Sequence, residues 1–85
     1  MAGVAGRVAL VTGAGSADGI GFAIARVLLA QGARVAITST TARIHDRHAE
    51  LGAAGTFATT ADLTRQPDVE RLVGETQSAL GPIDI

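Results

Sequence analysis

The chain has 85 residues, 47% apolar and 18% charged, with a formal net charge of −1 and no cysteine. That size bounds it to at most one globular domain, and the near-neutral balance offers no basic footprint for nucleic acid or an anionic membrane. Without cysteine there is no disulfide framework, no thiolate metal site and no cysteine nucleophile.

The longest apolar stretch, residues 20–30, is broken by Arg26 and falls far short of the ~20 residues that a bilayer span needs. The start lacks the basic and apolar regions of a signal peptide, so the expected setting is cytoplasmic.

The first six residues read as a leader, with Arg7 at its edge. Residues 8–12 form the first predicted strand: Val8 to Val11 is short, continuous and rich in β-branched side chains, as a parallel strand buried on both faces should be. Thr12 to Gly21 follows, carrying Gly13, Gly15, Gly19 and Gly21. Ile20, Ile24, Val27 and Leu28 then recur at i, i+4, i+7 and i+8, one stripe of a helix that runs to about Gln31 and closes on a left-handed Gly32. In a strand, glycine loop and helix, the glycines let main-chain N–H groups come close to a ligand. The helix N-terminus makes that ligand an anion, usually a phosphate. Ser16 adds a hydroxyl donor. A turn that merely packs strand on helix is the plainer reading, but it needs only one or two glycines.

Residues 34–38 read as a second strand, parallel to the first through a right-handed crossover. Ser39, Thr40 and Thr41 lead into a helical stretch with Ile44, His48 and Leu51 on one face, ended by Gly52. His45 and His48 lie three apart with no carboxylate or cysteine to complete a metal site, so they read as helix surface and no metal is expected. Residues 56–60 are the third strand, which Asp62, Leu63 and Thr64 leave. The third helix is expected to start near Thr64 as its cap, with Pro67, Asp68 and Glu70 suiting the first turn. Its inner stripe is Val69, Leu72, Val73, Thr76 and Leu80, and Gly81 and Pro82 stop it. Residues 83–85 open a fourth strand. The rhythm predicts an α/β fold, a Rossmann-type doubly wound parallel sheet present as β-α-β-α-β-α and the start of β4. Its strand order is 3-2-1, with the fourth strand beside the first.

Taken as the six-residue dinucleotide fingerprint from Gly13, the loop has Asp18 where the third glycine belongs, and a chain without lysine has no P-loop. Thr12 and Gly13, five residues, then Gly19, Ile20 and Gly21 resembles the short-chain dehydrogenase/reductase family, whose usual pattern places three residues in that gap. The longer gap is similar to the family's enoyl-reductase branch, where serine and alanine usually stand at the places of Gly19 and Gly21.

The resemblance implies an NAD(P)-dependent oxidoreductase that transfers hydride between nicotinamide and a carbonyl or alcohol substrate, with a 3-oxoacyl-thioester reductase as one form. It assigns cofactor binding to Gly13, Gly15, Ser16, Asp18, Gly19, Ile20 and Gly21. After the second strand, where NAD-binding proteins commonly place an acid, stand Ser39 and Thr40, with Arg43 close by. Hydroxyls donate to a 2′-phosphate that a carboxylate would repel, which favours NADP and leaves NAD open. The plainer reading of the pair is a helix cap. Asp62 and Leu63 match the places where relatives hold the adenine edge with a carboxylate and the next amide, although Asp62 alone also reads as a turn residue.

Relatives continue into an Asn-Asn-Ala-Gly segment and then a catalytic Ser, Tyr and Lys. This chain has neither Tyr nor Lys, so no catalytic residue is assigned within it. Residues 1–85 are therefore read as the incomplete N-terminal portion of a single dinucleotide-binding domain, inactive alone and either poorly folded or only marginally stable. The complete protein is expected to be a homo-oligomer acting on a small molecule, with neither a nucleic-acid nor a membrane partner. An enoyl-reductase-like enzyme and a non-catalytic dinucleotide-binding module are the alternatives.

Overall fold

A computed structural model describes residues 3–85; Met1 and Ala2 of the leader lie outside the described residues. Strands β1 (Val8–Val11), β2 (Arg34–Ser39) and β3 (Thr56–Thr60) alternate with helices α1 (Ile20–Ala30), α2 (Arg43–Leu51) and α3 (Gln66–Leu80). Both strand pairs are parallel, with Ala9 opposite Val35 and Ile37 opposite Ala58, and β2 lies in the middle. The 3-2-1 order follows because parallel neighbours need a crossover and the intervening helices supply it. These are the first β-α units of a Rossmann-type doubly wound sheet.

Residues 83–85 begin a fourth line of chain on the free edge of β1. Arg34 N–H donates to the Arg7 carbonyl on the β2 side, so Val8 and Leu10 turn their main-chain groups the other way. There Ile85 N–H donates to the Val8 carbonyl (3.1 Å) and Leu10 N–H to the Ile85 carbonyl (2.9 Å). One residue bonding to both neighbours of Ala9 is one rung of a parallel ladder. Asp84 fastens it, its Oδ2 accepting from Val8 N–H at 3.0 Å.

Core residues sit on both faces of the sheet, as a covered parallel sheet demands. Val35 and Ile37 of β2 pack with Ala25 and Ile44 on the α1/α2 face, while Ala36 packs with Val8 and Leu80 on the α3 face. Each helix closes on a glycine of positive φ: Gly32 (+93°), Gly52 (+89°) and Gly81 (+108°). At the end of α1, Gly32 N–H donates to the Leu29 carbonyl and Ala33 N–H to that of Leu28, a Schellman closure.

Three expectations are corrected. Of the aliphatic stripe of α1 only Leu28 packs on the core of the sheet: Ile20, Ile24 and Val27 are 80%, 47% and 56% exposed, while Phe22 and Ala25 are buried. The helix is turned so that Ala25 meets the sheet closely and Phe22 packs beneath the Arg26 and Arg47 guanidinium groups, each 5.8 Å from its ring centre. Second, Thr64 does not cap α3, which starts at Gln66 after an Arg65 N-cap without a side-chain bond. Thr64 instead donates both its N–H and its hydroxyl to Asp62 Oδ1. Third, only Leu72, Thr76 and Leu80 of the α3 stripe are buried, Val69 and Val73 being half-buried. The first strand also ends one residue early, at Val11, and the second runs one further, to Ser39.

Candidate functional site

The carboxyl ends of the three strands open into one cleft of about 380 Å³. The loop after β1 forms its first wall. Gly13 has φ +65°, a turn that a side chain rarely allows, and it lets Ala14 N–H reach back to the Thr38 carbonyl at 3.1 Å. Close packing fixes two further glycines. A Cβ at Gly15 would stand 2.8 Å from Ser39 Oγ, and one at Gly21 would stand 2.6 Å from the Gly13 carbonyl oxygen. The first brings the loop onto the end of β2, and the second brings α1 onto the loop. The N-cap of α1 is Gly19, with no side-chain cap and no acidic residue in the first turn. The N–H groups of Gly15, Ser16, Ile20 and Gly21 donate to no acceptor among the described residues. Such donors favour a negative charge in front of them.

Ser39, Thr40 and Arg43 form the second wall. Ser39 Oγ donates to the Thr41 carbonyl at 3.0 Å and accepts from Thr41 N–H, which closes a local turn. The plainer reading as a helix cap fails, since the N-cap of α2 is Ala42 without a side-chain bond. Arg43 is the first residue of α2, and its Nη2 would lie 4.0 Å from a Cβ at Gly15. Among the described residues it is the one cation lining the cleft.

Asp62, Leu63 and Thr64 make the third wall. Both bonds from Thr64 fall on Asp62 Oδ1, at 3.0 Å from the N–H and 2.6 Å from the hydroxyl. These bonds hold the Asp62 carboxyl below its ordinary value, the Thr64 hydroxyl contributing most, then the Thr64 amide. Oδ2 accepts nothing from the described residues, and Leu63 N–H is likewise unpaired among them. Asp62 N–H donates to Asp68 Oδ2 at 2.8 Å.

Seven of the anticipated residues line this cleft: Gly13, Gly15, Ser16, Ser39, Thr40, Asp62 and Leu63. Gly19 and Gly21 stand behind it at the start of α1. Asp18 and Ile20 are exposed and do not line it. No group of metal-binding side chains occurs among the described residues. His48 is tied by Nε2 to Thr56 Oγ1 at 2.9 Å, while His45 is exposed. Sequence reasoning missed Asp68, which it read only as suiting a helix start. An acid six residues after Asp62 carries no local signature of a bond to the Asp62 amide. A more open groove of about 780 Å³ lies between β3 and α3, but Arg71 there is already spent on Thr59, Thr60 and Glu75.

A family model described as short chain dehydrogenase matches residues 7–85. The chain belongs to the short-chain dehydrogenase family. It is 34% identical to an NAD-dependent glycerol dehydrogenase of Listeria innocua, covering 93% of this chain and 30% of that one. It is 40% identical to a hydroxynaphthalene reductase-like protein of Metarhizium guizhouense, covering 96% and 32%. Among solved structures, the 3-ketoacyl-(acyl-carrier-protein) reductase of Brucella melitensis, complexed with NADH, superposes with a TM-score of 0.87 at 34% identity, over 94% of this chain and 32% of that one. The chain thus spans about a third of the length of these short-chain dehydrogenase relatives.

Proposed function

We propose that these residues are the cofactor-holding part of an NAD(P)-dependent short-chain oxidoreductase, and that NADP(H) is the preferred form. One observation carries the reading: the glycine loop that leads into the uncapped α1, the hydroxyl and guanidinium groups at the end of β2, and the free carboxylate oxygen after β3 meet in a single cleft. The fit is chemical as well as spatial. Unpaired N–H groups at the glycine loop suit a pyrophosphate, Arg43 suits a further phosphate, and Asp62 Oδ2 with Leu63 N–H suits the amine and ring nitrogen of adenine. When bound, the nicotinamide of such a cofactor supplies or accepts the hydride. The chain's own residues orient the adenosine end and neutralise phosphate charge. No proton-transfer residue is assigned here, since Tyr and Lys are absent.

Residues 1–85 are accordingly the first part of a single dinucleotide-binding domain, in a cytoplasmic homo-oligomer that acts on a small carbonyl or alcohol. The Gly21 contact argues against the enoyl-reductase branch. The alanine usual there would bring its Cβ to 2.6 Å from the Gly13 carbonyl oxygen in this loop conformation.

Fluorescence titration of the full-length protein with NADPH and NADH tests the cofactor preference. Tighter NADPH binding is expected, and Ser39→Asp should weaken NADPH far more than NADH by facing a phosphate with a like charge. Tighter NADH binding by the wild type would overturn the preference, and binding of neither would overturn the function.

A further inference from the structure

We propose that Asp68 and Thr64 are positioning residues for base recognition, holding the turn after β3 so that one carboxylate oxygen of Asp62 and the N–H of Leu63 face the cleft. The inference rests on the reading of that cleft as a dinucleotide site. Its support is the way the polar groups around Asp62 are shared out.

Asp62 has three main-chain or side-chain groups that would otherwise be free to turn, and each is used. Its N–H donates to Asp68 Oδ2 at 2.8 Å. Its carbonyl accepts from Arg65 N–H at 3.0 Å. Its Oδ1 takes the N–H and the hydroxyl of Thr64. With one oxygen bonded twice by the same residue, the carboxylate plane has little freedom, and the remaining oxygen is left for a donor from outside the chain. Asp68 lies in the first turn of α3, a rigid element, and one turn further on Arg71 donates to the Thr60 carbonyl at 2.6 Å. An acid and a base three residues apart on one helix therefore hold both the last β3 carbonyl and the Asp62 amide. Helix α3, and not the residues of the turn alone, sets where the recognising groups point.

An adenine edge presents an amine donor and a ring-nitrogen acceptor, which complement a carboxylate oxygen and an N–H. Hypoxanthine exchanges the two, placing a carbonyl where the amine was and an N–H where the acceptor was. The ratio of the two affinities therefore reads how well Asp62 and Leu63 are aimed, whereas general loosening of the fold weakens both ligands alike.

The test measures dissociation constants of NADPH and its hypoxanthine analogue for the full-length protein. The wild type should prefer the adenine form by about tenfold or more, the loss of one to two well-made hydrogen bonds. Asp68→Ala should reduce that preference to about threefold or less. Asp68→Asn retains a side-chain oxygen to accept the Asp62 N–H and should restore it, which separates positioning from loss of charge. Thr64→Val, close to isosteric, should lower the preference by freeing the carboxylate to rotate. An unchanged ratio in both Asp68→Ala and Thr64→Val, or equal weakening of the two ligands, overturns the inference. If the wild type binds both forms equally, the inference falls while the dinucleotide reading stands; if it binds neither, both fall.

Discussion

Helices α1 and α3 both follow loops that line the cleft, and the chain treats the two beginnings in opposite ways. At α3 it supplies its own negative group: Asp68 sits in the first turn and takes the Asp62 N–H. At α1 it supplies none in the first turn, the N-cap being Gly19 without a side-chain bond. Helix N-terminal N–H groups must find acceptors somewhere. Neither helix has a side-chain cap, but α3 sets a carboxylate of its own against its positive end, whereas the first turn of α1 carries none and is left for an anion from outside the chain. The same contrast recurs inside the helices. Gly21 of α1 has no room for a Cβ, whereas a Cβ at Gly74 of α3 would meet nothing within 4 Å.

The sharpest way to break the comparison is to make α1 resemble α3. Gly19→Asp places a carboxylate at the N-cap, where φ −81° and ψ 158° accept any residue and the exposed loop at Ser16, whose Cβ and carbonyl oxygen would each stand 3.3 Å from the new Cβ, must give by a few tenths of an ångström. In the full-length protein dinucleotide affinity should fall by about a hundredfold, several kcal/mol of like-charge repulsion, with the thermal midpoint held or raised. Unchanged affinity in a calorimetric titration would mean that no anion sits there.

Next in size, Gly21→Ala should destabilise the protein by about 1–3 kcal/mol by forcing α1 off the loop. Gly74→Ala should instead stabilise it by about 0.5–1 kcal/mol, since an unobstructed helix interior favours alanine. Chemical denaturation of the pair should therefore give opposite signs; the same sign would remove the contrast.

Thr76 on the buried face of α3 has a hydroxyl without a partner among the described residues. Thr76→Val should be neutral or stabilising by about 1 kcal/mol in the same assay. A marked loss would reveal a bond made by that hydroxyl.

The smallest effect concerns pH. The Asp62 carboxyl is held below its ordinary value of 3.8. Its contribution is present above that value and is lost as pH falls through the lower folded value. The thermal midpoints of wild type and Thr64→Val should therefore differ near neutrality and converge in acid. A gap that persists to pH 2 would assign the difference to something other than this ionisation.

Much of the architecture was legible because its causes are local. Gly32, Gly52 and Gly81 mark helix ends through their positive φ, and the apolar run of β1 and the β2 run from Val35 to Ile37 announce buried parallel strands. The cleft was legible in the same measure: Gly13, Gly15, Ser39, Asp62 and Leu63 stand at or just after strand ends, where an open α/β sheet places its ligands. Thr64 was misread because a threonine just before a helix looks like a cap. Here Asp62, two residues earlier, offers its N–H and hydroxyl a better acceptor.

What the sequence determined by itself is the set of elements, their order and the residues that share a stripe, since those depend on neighbours within a few positions. Tertiary structure alone decided which stripe of α1 turns inward and which side chain secures the Asp62 turn. Periodicity sets angles within a helix but not the rotation of the helix about its own axis. That rotation belongs to the partner surface, where Ala25 fits close to the sheet and Phe22 packs beside Arg47, leaving Ile20 and Ile24 outside. The bond from Asp62 to Asp68 likewise exists only once α3 has folded back beside the end of β3.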